Sequence, residues 1–132
     1  MSKEIDVGAE TLFGTLTLGQ LITVLDQYKD DGGTTVKFDF CHFAPAGLHS
    51  YRGSYDHLAI SYSPFQLSLE TFLAELKGAV GQVFTGWKGG QFVMDENTPI
   101  WVDMPGDASS TAIVGVRYLS GVVYIETKHV DI

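Results

Sequence analysis

The segment His49-Ser50-Tyr51-Arg52-Gly53-Ser54-Tyr55 gathers an imidazole, two phenols, two hydroxyls and one of the chain's two arginines. An arginine holds a phosphate or carboxylate through two parallel N–H bonds, and neighbouring tyrosines offer rings that stack on a base. A second segment, Phe84-Thr85-Gly86-Trp87-Lys88-Gly89-Gly90-Gln91-Phe92, sets an indole and an ammonium between glycines. Glycine lacks a Cβ, so the backbone there can approach a ligand closely or take positive φ. Amides around Gly89 and Gly90 can then turn together toward an anion. The segment is not a Walker loop, because glycine rather than Ser or Thr follows Lys88. Each segment also has an ordinary structural reading. Arg52 can pair with a surface carboxylate while the tyrosines close a core edge; Gly86 to Gly90 can cap a helix and turn, with Trp87 plugging the core.

If the two segments meet at one end of a sheet, Tyr51, Arg52, Trp87 and Lys88 form an aromatic, locally cationic pocket. His49 and Ser50 add hydrogen bonds, and Tyr55, Gly89 and Gly90 complete the candidate ligand-binding set. Such a pocket suits a small anionic aromatic ligand, a cyclic or modified nucleotide being the leading class. No catalytic set, metal site or cofactor is expected. His42, His49, His57 and His129 lack the His-x-x-x-His spacing of a zinc site. Cys41 and His42 are neighbours on an extended stretch, so their side chains point to opposite faces and form no nucleophile–base pair. There is no Gly-x-Ser-x-Gly elbow. Asp95, Glu96 and Asp103 read as solvated turn carboxylates.

The elements that must position these residues are legible from periodicity. Leu18, Leu21, Ile22, Leu25 and Tyr28 line one helical face, and Thr17 with Gln20 has the spacing of a capping box. Lys29 falls in the last turn and Asp30-Asp31-Gly32-Gly33 ends the helix. Residues 35–41 and 57–62 alternate as strands, and the stretch between them, Phe43 to Tyr55, reads as a long loop. Ser68 opens a second helix with Glu70 in its first turn; its apolar stripe runs Leu69, Phe72, Leu73, Leu76, Val80, Val83 and Phe84 and stops near Thr85-Gly86. Gly78 and Gly81 read as points of close approach to the sheet. Strands follow at 92–94, 100–103, 112–118 and 122–128, the last two joined by Leu119-Ser120-Gly121. The pattern is α+β: two helices packed on a mainly antiparallel sheet of five to six strands, in one domain over residues 1–132.

Composition bounds the partners. Of 132 residues, eight are Lys or Arg and sixteen Asp or Glu, a net charge of −8 that repels polymeric nucleic acid. No apolar run approaches the roughly 20 residues of a membrane helix, and Met1 to Asp6 is not a signal peptide. The single cysteine suits a reducing cytosol. Val- and Ile-rich C-terminal strands suggest an edge that pairing between subunits covers, so a homo-oligomer is expected.

The chain resembles short accessory proteins of tailed phages and their prophages. The likeness is carried by Leu18-Gly19-Gln20-Leu21, Ser50-Tyr51-Arg52-Gly53 and Gly86-Trp87-Lys88-Gly89-Gly90, and spans roughly residues 17 to 103. The resemblance implies a phage setting in the host cytosol and no catalytic residues. In that setting the expectation is a non-enzymatic anti-defence protein that sequesters a nucleotide immune signal. Two alternatives stand beside it. One is an acidic inhibitor docked on a host nucleic-acid-binding defence protein; the other is a small nucleotide hydrolase or lyase with His49 as acid or base and Arg52 on the phosphate.

Overall fold

The computed structural model describes residues 2–4, 15–40, 43–51, 54–65, 67–86, 89–103 and 110–130, with the main chain alone at Ser2–Glu4, Ser54, Tyr55, Ser110 and Val130. Helix α1 (Leu18–Asp30) begins with the capping box its sequence encodes. Thr17 Oγ1 accepts from the Gln20 amide at 3.1 Å, and Gln20 Oε1 accepts from the Thr17 amide at 2.9 Å. Leu18, Leu21, Val24, Leu25 and Tyr28 are its buried face; Val24 takes the place the periodicity gave to Ile22, which is half-buried. Helix α2 (Leu69–Ala79) is capped by the Ser68 hydroxyl, which accepts from the Thr71 amide at 3.1 Å.

Helix α2 ends earlier than its apolar stripe suggests. Val80 is already extended and Gly81 sits at φ +81°, a conformation that excludes further helix. Val83 and Phe84 therefore lie in a strand. Nothing lies within 4 Å of a Cβ placed on Gly78 or Gly81. Neither allows a close approach to the sheet: Gly78 lies within α2, and Gly81 stands just past its end.

Nine strands accompany the helices among the described residues: β1 (Ser2–Glu4), β2 (Thr35–Phe38), β3 (Ala44–Tyr51), β4 (Ser54–Ser63), β5 (Val83–Thr85), β6 (Gln91–Val93), β7 (Ile100–Val102), β8 (Ser110–Leu119) and β9 (Val122–Val130). The main sheet runs β2-β9-β8-β7-β4-β3, with β1 pairing the end of β8 that β7 does not reach. Pairs β2–β9 and β4–β7 are parallel and the rest antiparallel. Strands β5 and β6 form a separate two-stranded ribbon. The α+β architecture with two helices on a mostly antiparallel sheet is thus the one expected. The β8–β9 hairpin closes on Ser120 and Gly121, both at positive φ, as a two-residue turn with right-handed strand twist requires.

Two expectations about strands are corrected. Residues 43–55 are not a long loop: Ala44 to Tyr51 is strand β3, hairpinned onto β4. Its pairing is irregular between Pro45 and Leu48 and between Ser50 and Tyr51, and Gly47 takes φ +78°. These bulges break the alternation by which a strand is read, and an edge position tolerates the proline. The C-terminal strands also present less edge than expected, because β9 lies between β8 and β2; the ends of the strand path are β2 and β3. Strand β2 stops at Phe38 where Asp39 and Phe40 bend, and Cys41 and His42 lie outside the described residues.

The sheet has two unlike faces. Val36, Phe38, Leu58, Ile60, Ile100, Val102, Ile113, Val116, Val123 and Ile125 join the buried stripes of both helices in the main core. Tyr51, Ala59, Trp101 and Ala112 form a small cluster on the opposite face, with Val114 against it. At one corner the two ends of the strand path approach each other: the Phe38 amide donates to the Phe43 carbonyl at 3.0 Å, and Phe38, Phe40 and Phe43 surround the Tyr62 ring. No helix among the described residues is long and apolar enough to cross a membrane.

Helix α1 is docked by its own backbone as well as its side chains. The Gly19 amide donates to the Glu96 carbonyl at 2.9 Å, and a Cβ on Gly19 would lie 2.9 Å from that same oxygen. Alanine normally favours a helix over glycine by about 1 kcal/mol. Here the obstacle is backbone, so Gly19→Ala should instead destabilise the fold by about 1–2 kcal/mol. Urea unfolding should show a lower midpoint with an unchanged slope; an equal or higher midpoint would mean that this contact is slack.

Candidate functional site

The two sequence segments occupy the connections of two hairpins. Tyr51 and Ser54 are the last paired residues of β3 and β4, so Arg52 and Gly53 form the connection between them. Thr85 pairs Gln91 in the β5–β6 ribbon, so Gly86 to Gly90 is that ribbon's connection. Arg52, Gly53, Trp87 and Lys88 themselves lie outside the described residues. Helix α2 does not reach the second segment, so its glycines are not a helix cap. Gly89 adopts φ +98°, and its amide donates to the Gly86 carbonyl at 2.9 Å, while the Gly86 amide donates to the Gly90 carbonyl. The Gly89 amide is therefore used within the turn. Gly89 and Gly90 are both exposed.

The ribbons adjoin. Strand β5 packs on β3 and β6 on β4. An open recess of about 370 Å³ lies among β3, α2 and β5, lined by Gly47, Leu48, Glu75, Gly78, Gln82 and Phe84, and none of the described candidate ligand residues lines it. Glu75 makes its helix side acidic.

The first segment divides between the two faces of the sheet. Ser50 is opposite Leu58 and buried toward the core. Tyr55 contributes its main chain to β4. Tyr51 is 5% exposed, and its ring stacks on Trp101 with centroids 5.1 Å apart and planes 13° apart. That stack occupies one face of the ring that was expected to take a ligand base. His49 remains half-exposed, and its Nε2 meets Asp103 Oδ2 at 3.1 Å. The carboxylate orients the imidazole and favours a proton on Nε2, leaving Nδ1 directed elsewhere. Asp103 is thus more than a solvated turn carboxylate.

Beside these residues lies a constellation that spacing did not single out. Trp101 Nε1 donates to His57 Nδ1 at 3.0 Å inside the outer cluster, the ring planes differing by 8°. A ring nitrogen that accepts carries no proton, so His57 is the neutral Nε2–H tautomer. Burial pushes its imidazole below the usual histidine value of 6.5, against a smaller raising pull from Asp56, whose carboxylate lies 3.9 Å from Nε2. One signal did exist. The alternation of Leu58 and Ile60 places His57 and Ala59 together on the other face, and the same parity places Trp101 there. Among the described residues, no group of three His, Cys, Asp or Glu side chains is placed to hold a metal ion.

The buried imidazole makes stability depend on pH with a definite sign. His57 in the folded chain titrates below 6.5, the value of an unfolded histidine, so between the two the unfolded state binds more protons. Stability is full above about pH 6.5 and falls as pH drops through that window, by at most about 1.4 kcal/mol per pH unit. His57→Asn, whose amide oxygen can replace Nδ1 as acceptor, should remove this part of the slope. Urea midpoints at pH 7.5 and 5.5 measure it, and parallel profiles for the two proteins would contradict the assignment.

Comparison of the chain with protein-family models, with curated proteins and with solved structures finds no match.

Proposed function

We propose that this chain is a non-enzymatic binding protein for a small anionic ligand, a cyclic or modified nucleotide being the leading class. In the phage setting suggested by its sequence, it sequesters a nucleotide immune signal of the host. The observation that supports the reading is that Arg52-Gly53 and Gly86 to Gly90 connect two hairpins whose strands pack on each other, β5 on β3 and β6 on β4. A connection exposes its side chains to partners more readily than a helix cap or a core plug does. In this reading Arg52 and Lys88 neutralise phosphate and Trp87 stacks on the base, while His49, held by Asp103 on the face of β3 opposite the recess, stands outside that contact. The acidic Glu75 favours a pose with the phosphates toward the hairpin connections. Tyr51 and Ser50 then serve as support for the neighbouring arginine.

A second reading draws on one contact. The His49–Asp103 pair is the arrangement by which a carboxylate orients a general base, and it favours the nucleotide hydrolase or lyase alternative. The same experiment separates the two. Ligand at a hundredfold excess over its Kd stabilises the folded state by about 2.7 kcal/mol, a Tm rise on the order of 8 °C for a chain of this size. A panel of cyclic mono- and dinucleotides should contain a member that produces such a rise, and Arg52→Ala with Trp87→Ala should abolish it. Intact ligand recovered after denaturation supports sequestration. A cleaved product that disappears in Asp103→Asn supports the enzyme. A panel without any shift would overturn both readings.

A further inference from the structure

The outer face of the sheet holds a proton-sensitive contact beside Tyr51, the end of β3. Trp101 stands between two partners: its Nε1–H is given to His57 Nδ1, and its ring face to Tyr51. Tyr51 is the last described residue of β3 and immediately precedes Arg52. A proton can join the His57 ring only at Nδ1, the nitrogen that now accepts the indole N–H. Once protonated, Nδ1 becomes a donor facing a donor, and the two rings can no longer share an edge.

We propose that the His57–Trp101 hydrogen bond is a latch, opened by a proton, that holds the end of hairpin β3–β4 in place. The inference rests on the reading of that hairpin as part of the binding site and supplies its regulation. At neutral pH the latch fixes Trp101, Trp101 fixes Tyr51, and the β3 end is held for its ligand. On acidification His57 becomes a cation with a side chain only 7% exposed, the indole turns away, and Tyr51 loses its stack. The end of β3 then loses its support, and affinity falls.

The charged surroundings of His57 leave room for this behaviour. From its own strand it faces Asp56, which is largely exposed and 3.9 Å from Nε2. From β3 the titratable groups on this face are Tyr51 and His49; just past β7 there is Asp103, already engaged with His49; and on β9 Lys128 and Glu126 stand opposite Ala112 and Gly115. The carboxylates favour an imidazolium and burial opposes it. The accepting role of Nδ1 adds to burial, because that hydrogen bond exists only in the neutral form. The outer cluster is small, with Ala59, Ala112 and Val114 as its other members.

The test is a titration of the ¹⁵N-labelled full chain by NMR from pH 8 to 4.5. Trp87→Phe assigns the Trp101 indole resonance, since the chain has two tryptophans. The expected result is one transition, centred below pH 6.5, shared by the His57 ring, the Trp101 Nε1–H and the Tyr51 amide. Exchange of the Tyr51 amide with solvent should rise at least tenfold across it, beyond the intrinsic pH dependence of exchange, while amides of α1 stay unchanged. His57→Asn should hold the Trp101 and Tyr51 signals constant over the whole range. Trp101 and Tyr51 signals that stay fixed while His57 titrates, or a His57 that does not titrate in the folded chain, would overturn the latch. Binding is read separately with the nucleotide that raises Tm at pH 7.5. A loss of affinity that follows the transition in the wild type and is absent in His57→Asn supports the regulation, and affinity unchanged across it overturns that coupling. If no nucleotide binds at any pH, the reading of the site fails while the NMR result still decides the latch.

Discussion

Three residues hold the sheet together. Strand β7, Ile100–Val102, pairs in parallel with β4 on one side and antiparallel with β8 on the other, so it joins the β2-β9-β8 half to the β4-β3 hairpin. All three residues are buried, because both faces of the sheet are covered there. Ile100 and Val102 point into the helix-side core and Trp101 into the outer cluster. The seam extends past the strand: the Leu58 amide donates to the Pro99 carbonyl at 3.0 Å and the Asp103 amide to the Ile60 carbonyl at 2.9 Å. A one-residue slip would send Trp101 into the main core and two aliphatic side chains outward, so the register is strongly specified. The same strand anchors the start of α1, since the Ile100 amide donates to the Leu16 carbonyl and the Leu18 amide to the Thr98 carbonyl. Both layers of the fold are thus positioned from one short element.

Much of this was legible because local signals agree with tertiary ones. Thr17 and Gln20 encode a cap that forms, Ser68 encodes another, and the alternation in 57–62 assigns the two faces of β4 correctly. The signal failed where the backbone departs from regular periods. In β3, Pro45 and Gly47 gave the composition of a loop, and two bulges hid an alternation that pairing with β4 nonetheless enforces. In α2, Val83 and Phe84 continued an apolar helical stripe, but a left-handed Gly81 outweighs side-chain periodicity. The site was legible only in part. Two glycine-bounded clusters stand out as clusters, whereas the His57–Trp101 pair joins residues 44 positions apart, and strand parity puts both on one face without pairing them.

The outer face shows how a small cluster differs from a large core. The helix side buries aliphatic and aromatic groups from every long strand and both helices, so no single side chain there carries the packing alone. Outside, one indole carries the packing of Tyr51 and the hydrogen bond to His57 at once. Such economy makes a weak point, and weak points are where local opening occurs before global unfolding. Coupling of this kind needs no long pathway. It needs one ring with two partners and a hairpin end that depends on the second of them.

Charge placement completes the argument about what the surface can hold. The chain has eight Lys and Arg side chains against sixteen carboxylates. Lys77 is paired with Asp26 at 2.9 Å, and the Arg117 guanidinium lies over the Tyr124 ring at 5.6 Å. Two of the remaining cations, Arg52 and Lys88, belong to the two hairpin connections. At physiological ionic strength, charges more than about 8 Å apart are largely screened from one another in solvent. A small ligand near these connections therefore senses the local cations far more than the net charge of −8. A long polyanion would extend beyond that distance and meet the acidic surface, so under the proposed reading this charge distribution discriminates a single nucleotide from a nucleic-acid strand.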